Sequence, residues 1–169
     1  MNLYITYGTT DYLEKIKKDH PDQSLLHMEN IDTSVLFHET QQQSIFNEPK
    51  KYEVLDSSGE LANGSYAVLN NIPVSAEGKP LFEQRFSERA RLIESEPGFS
   101  AIRVLRPKSG DTYIILTLWE NEQYFKAWQD SKAYENAHKK RGTSEGVDKH
   151  SIFPRPSYVT TYSLVDNEE

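Results

Sequence analysis

The chain has 169 residues, of which 36% are hydrophobic and 11% aromatic, and a formal net charge of −7. That is enough for one large domain or two small ones, with aromatic rings supplying much of the buried area. An acidic chain without a broad basic stripe is unsuited to nucleic acid or an anionic membrane surface, and it contains no run of about 18 apolar residues to span a bilayer. The absence of cysteine excludes disulfides, thiolate metal sites and cysteine nucleophiles.

The opening Met1-Asn2-Leu3-Tyr4-Ile5 lacks the charged and apolar segments of a secretory signal, so a cytoplasmic protein is expected. Residues 3–7 are β-branched and aromatic and stop at Gly8, as a strand would. Thr9 or Thr10 can cap a short helix over residues 11–18, closed by Pro21. Residues 24–28 and 34–40 read as strands around the turn-like Glu29-Asn30-Ile31-Asp32, and residues 51–55 as another. The turn formers of residues 56–60 and 62–65 mark a junction between two halves, 1–64 and 65–169.

In the second half, residues 66–74 read as a strand. Lys79-Pro80 opens a helix to about Glu94, with Phe82, Phe86, Ala90 and Ile93 on one stripe. Residues 99–105 and 113–119 form a hairpin across Arg106-Pro107-Lys108-Ser109-Gly110-Asp111. A second helix runs from Asn121 to about Arg141, residues 142–156 form a long loop, and residues 158–164 are the last strand. The order β-α-β-β-α-β is ferredoxin-like, within an α+β fold. Helices cover one face of such a sheet, and the N-terminal α+β half is expected to pack on the other as a pseudo-dimer within one chain.

The strand ending in Trp119-Glu120, then Phe125-x-x-Trp128, then Ala137-His138 ten residues beyond, carries the chemistry. This pattern resembles the IsdG-type haem-degrading monooxygenases of the antibiotic-biosynthesis-monooxygenase superfamily. Tyr7-Gly8-Thr9, Asp32-Thr33-Ser34-Val35 and Glu39-Thr40 extend the resemblance to longer members with an N-terminal extension, so that it covers nearly the whole chain. It implies an Asn-Trp-His triad: His138 as the haem-iron ligand, Trp128 as the residue that forces the ring out of plane, and an asparagine in the first strand of the second half. Asn70 and Asn71 both stand there. Strand alternation groups Asn70 with the bulkier Tyr66, Val68, Ile72 and Val74, and Asn71 with Ala67, Leu69 and Pro73. Asn70 is taken, with Asn71 left open.

Read without the family, ten positions at 100° each put Trp128 and His138 about 80° apart if one helix carries both. Tyr124, Ser131 and Tyr134 would then lie near the His138 direction, so that an imidazole and large aromatic surfaces face one cavity, and a neutral imidazole suits iron. Phe125 and Tyr134 are taken, with Trp128 and His138, as the haem-binding residues. Lys139, Lys140 and Arg141 could meet the propionates. Singly, these residues have plainer readings: Trp128 as core, Asn70 as locally paired, the three cations as a helix C-terminus. The other histidines, His20, His27, His38 and His150, form no ligand spacing and read as structural or exposed.

The resemblance implies oxidative cleavage of haem with release of iron. Haem serves as substrate and cofactor, O2 is consumed, and an external donor or partner reductase supplies electrons, since no flavin or nicotinamide motif is present. A monomer is expected. Two other readings stay open: a non-enzymatic haem-binding or regulatory protein in signal transduction, and a cofactor-independent monooxygenase acting on a small aromatic or quinol.

Overall fold

The computed structural model describes residues 1–88, 91–131 and 152–165. Alternating apolar residues in eight strands close a barrel whose order is β1-β3-β2-β8-β5-β7-β6-β4. The strands are β1 (Asn2–Gly8), β2 (Leu25–Glu29), β3 (Ser34–Thr40), β4 (Lys50–Gly59), β5 (Tyr66–Pro73), β6 (Phe99–Pro107), β7 (Thr112–Trp119) and β8 (Tyr158–Leu164). Every pairing is antiparallel. One side of each strand fills the interior, where Leu3, Ile5, Val35, Phe37, Leu69 and Leu116 are almost completely buried. Burial of these side chains stabilises each by about 1.5–3 kcal/mol relative to exposure.

The N-terminal strands meet the rest at two seams. The long one pairs β4 with β6, from Tyr52↔Pro107 to Gly59↔Ala101. The short one pairs β2 with β8 through Met28↔Leu164 and Glu29↔Ser163. The two sets of strands are therefore hydrogen-bonded edge to edge around a shared interior, where sequence reading expects one layer laid upon another.

The expected junction at residues 56–60 is strand, not turn. β4 continues past a bulge between Val54 and Asp56 because β6 supplies its ladder. Arg103 anchors this seam from inside. Its guanidinium, 4% exposed, donates to the carboxylate of Glu39 at 2.6 and 3.2 Å and to the carbonyls of Ser58 and Gly59 at 3.0 and 2.8 Å. Gly59 has φ 78°, and a Cβ there would lie 2.0 Å from the Ser100 carbonyl oxygen, so only glycine fits.

Among the described residues three α-helices pack outside the barrel. α1 (Thr10–Asp19) is capped by Thr9, whose hydroxyl accepts from the Tyr12 amide, and buries Leu13. α2 (Lys79–Ser87) is shorter than the expected helix to Glu94. Arg91 adopts a left-handed φ of 58°, bonds Asp56 at 2.8 Å, and opens a separate 3₁₀ turn over Leu92–Ser95. Ala90 lies outside the described residues. α3 (Glu122–Gln129) is capped by the Asn121 side chain. It also ends early: the Asp130 amide turns back to Lys126 and Trp128, and the Ser131 hydroxyl donates to the Trp128 carbonyl at 2.5 Å. Among the described residues no helix is long and apolar enough to cross a membrane.

Candidate functional site

The site is built on the outer face of β5, the face toward the helices. Ala67 and Leu69 point into the barrel. Tyr66 and Val68 point outward and pack with Trp119 and Phe125 near α3, against Trp128 and Phe99. Ile72 and Val74 point outward and pack with Phe82 and Tyr113 under α2, against Phe86 and Ile115. Asn70 lies between these two apolar clusters. Register places it opposite Ile115 on β7 and Val159 on β8. Asn70 and Ile115 are half-buried, Val159 is 57% exposed, and among the described residues the Asn70 amide makes no hydrogen bond. The outcome is a partly open apolar floor carrying one amide.

Asn71 faces the other way. Its amide nitrogen sits in the barrel within 3.1 Å of the Leu69 carbonyl, 3.2 Å of the Tyr158 carbonyl and 3.3 Å of the Thr160 hydroxyl. Trp128 stacks beside Trp119 at 5.6 Å and Phe125 at 6.1 Å. Phe125, 8% exposed, also meets Tyr66 at 6.2 Å. It therefore lies within the aromatic cluster, while Trp128 stands half-buried at the edge. His138 and Tyr134 lie outside the described residues, as do Lys139, Lys140, Arg141 and His150. The 100° count from Trp128 to His138 needs one unbroken helix, and α3 stops at Gln129.

Under α2, the Glu83 carboxylate receives Arg106 at 2.9 and 2.5 Å and the Tyr113 hydroxyl. Hydrogen bonds from Arg106, with help from Tyr113, hold the Glu83 carboxyl below the usual range. Burial, with Glu83 beside it, pushes the Tyr113 phenol up. This network pins the helix that walls one side of the floor.

The described histidines are structural. His27 bonds Glu14 at 3.0 Å and His38 bonds Gln23 at 2.9 Å. His20 bonds the Ile16 carbonyl at 2.9 Å. Among the described residues no group of three His, Asp or Glu side chains could hold a metal ion.

Ile115 and Val159 were not singled out from the sequence. Alternation within residues 112–119 and 158–164 marks their faces, but only strand pairing brings them beside Asn70. A cleft of about 460 Å³ continues this floor along β8, between Tyr66 and Glu122 on one side and the β2–β3 turn on the other.

Residues 65–140 match the family model for antibiotic biosynthesis monooxygenase. A Staphylococcus epidermidis protein named signal transduction protein TRAP is 31% identical over 133 residues, covering 79% of this chain and 78% of its own. A Listeria monocytogenes heme-degrading monooxygenase is 24% identical over 159 residues, covering 92% of this chain and 95% of its own. The solved structure of a major regulator of staphylococcal pathogenesis superposes with TM-score 0.86 at 25% identity, covering 98% of this chain and all of its own. The solved structure of a Listeria monocytogenes ferredoxin fold protein related to antibiotic biosynthesis monooxygenases superposes with TM-score 0.73 at 24% identity, covering 98% of this chain and 94% of its own, and shares the fold. The chain belongs to the antibiotic biosynthesis monooxygenase family.

Proposed function

We propose that this protein is a haem-degrading monooxygenase that takes haem as its substrate on the outer face of β5, between α2 and α3. The observation that carries the reading is the Asn70 amide, without a hydrogen bond among the described residues, on an apolar floor of Ile115 and Val159 beside the Trp128 edge. A flat ring wants aliphatic and aromatic walls with few, well-placed polar groups. The Listeria relative that matches along nearly the whole chain supports the same substrate.

In this reading haem supplies the oxygen-activating chemistry, with O2 and electrons from an external donor or reductase. His138 would hold its iron. Trp128, backed by Trp119, would press on the face of the bound ring, and Phe125 and Tyr134 would complete the aromatic surround. The Asn70 amide has two N–H donors and would offer them to a polar group held above the bound ring, orienting it. Residues 65–169 form the catalytic half. Residues 1–64 replace, within one chain, the partner subunit of a shorter family member, so the protein acts as a cytoplasmic monomer.

A second reading is a non-enzymatic haem-binding or signalling protein, favoured by the 31% identity to the staphylococcal signal transduction protein. A haem titration separates the readings. The enzyme develops a Soret band that decays under reductant and oxygen. A haem-binding regulator keeps the band. A signalling protein without haem, or a cofactor-independent monooxygenase on a quinol, never forms it.

A further inference from the structure

The turn between β2 and β3 is held by hydrogen bonds centred on Asn30. The Asn30 side-chain oxygen accepts from the amides of Asp32 at 2.8 Å and Thr33 at 3.0 Å, and the Asn30 amide donates to the Thr33 carbonyl at 2.9 Å. The Asn30 side-chain nitrogen donates to the Thr161 carbonyl on β8 at 3.0 Å, so the turn is clamped to the far strand. What this fixed turn presents is Ile31, 100% exposed. An isoleucine held out in water by a turn fixed through Asn30 has no packing role in the free protein.

Its position gives it one. Thr161 lies two residues from Val159, the neighbour of Asn70 across β5 and β8. At about 3.3 Å per residue the clamp is roughly 7 Å along β8 from the proposed ring centre. Ile31, Val159, Thr161 and Tyr66 all line the same cleft. The lip is also acidic. Glu29 and Asp32 flank the turn and line the cleft, while the nearby Glu122 is paired with Lys126 at 3.2 Å.

We propose that the β2–β3 turn is the lip of the substrate site. Ile31 touches the apolar edge of bound haem, and Glu29 and Asp32 keep the propionate edge turned away. The inference rests on the haem reading and gives the N-terminal half a direct part in substrate retention. The occupant follows from continuity with the Asn70 floor and from charge: an acidic lip repels carboxylates and accepts the uncharged edge of the ring.

The test measures haem release from the whole protein into excess apomyoglobin for wild type, Ile31→Ser, Ile31→Asp and Asp32→Lys. Because Ile31 is fully exposed, both Ile31 variants should melt as wild type does, which separates contact from folding. Release should quicken roughly tenfold in Ile31→Ser, the scale of one isoleucine side chain's burial, and further in Ile31→Asp. Asp32→Lys replaces a repelling carboxylate with a cation that attracts propionates, so it should slow release. Wild-type release from both Ile31 variants overturns the lip, and release from Asp32→Lys no slower than wild type overturns the orientation. Failure of the wild type to take up haem overturns the haem reading together with the lip, a result distinct from either.

Discussion

At the scale of single residues, the two asparagines of β5 carry opposite burdens. Asn71 is 8% exposed and within hydrogen-bond distance of three acceptors inside the barrel. Asn71→Ala strands buried acceptors and should cost about 1–3 kcal/mol in urea unfolding. Asn70→Ala removes no such bond and should unfold within about 0.5 kcal/mol of wild type. In haem turnover the order reverses. Losing one donor aimed at developing charge typically slows the chemical step about 10²–10³-fold, so Asn70→Ala should bind haem normally yet consume it slowly. A slow Asn71→Ala with wild-type Asn70→Ala would mean that the substrate does not lie on the outer face. His138→Ala should shift the Soret band and abolish turnover, and an unchanged spectrum would remove His138 as the ligand. Alternation along residues 66–74 was sufficient to separate Asn70 from Asn71, because a strand's two faces are fixed by parity. It could not reveal that Asn71 is a structural amide, since its partners Tyr158 and Thr160 belong to a distant strand.

At the scale of elements, strand alternation and helix caps located most of the secondary structure: residues 34–40 and 158–164 are strands as expected, and Thr9 and Asn121 cap helices. The failures lie at ends set by tertiary partners. β4 runs through Ser57 and Ser58 because β6 pairs with them, and apolar periodicity through Ile93 gave no sign that Arg91 turns left-handed toward Asp56. The α1 layer makes a prediction about acid. His38 is buried, its Nε2 faces the Gln23 side-chain oxygen, and among the described residues its Nδ1 has no partner. Burial, and then His20, lowers its pKa. The unfolded chain therefore binds this proton first as pH falls, so stability is complete above the unfolded value of about 6.5 and is lost as pH drops through the folded value. Glu83 acts in a lower window: its depressed carboxyl pKa makes a contribution that is complete above the ordinary carboxylate range and is lost as pH falls through that range toward the folded value. Melting curves from about pH 7.5 to pH 5 should show a wild-type decline that is shallower in His38→Phe. Equal slopes would mean that His38 does not titrate between the folded and unfolded states.

At the scale of the whole molecule, closure of the barrel decides what the N-terminal half is for. The β-α-β-β-α-β order of residues 65–169 was legible from local pattern, but the seams that close the barrel were not. Tyr52 and Pro107, or Met28 and Leu164, are paired only once the chain has folded back on itself. Without residues 1–64 the second half would keep β8-β5-β7-β6 as an open sheet, with free edges at β8 and β6. It would also expose an inner face including Leu69, Leu105, Leu116 and Tyr162, all now buried. An exposed apolar face bounded by unpaired strand edges drives association. The full chain has neither feature where its seams are closed, so light scattering should report a monomer. Residues 65–169 expressed alone should dimerise or aggregate, and adding residues 1–64 in trans should reduce that association by restoring the β4–β6 seam. A stable monomeric fragment would mean that the outer helices and the second-half sheet bury enough surface by themselves, and that the N-terminal strands are an addition to the fold and not its completion.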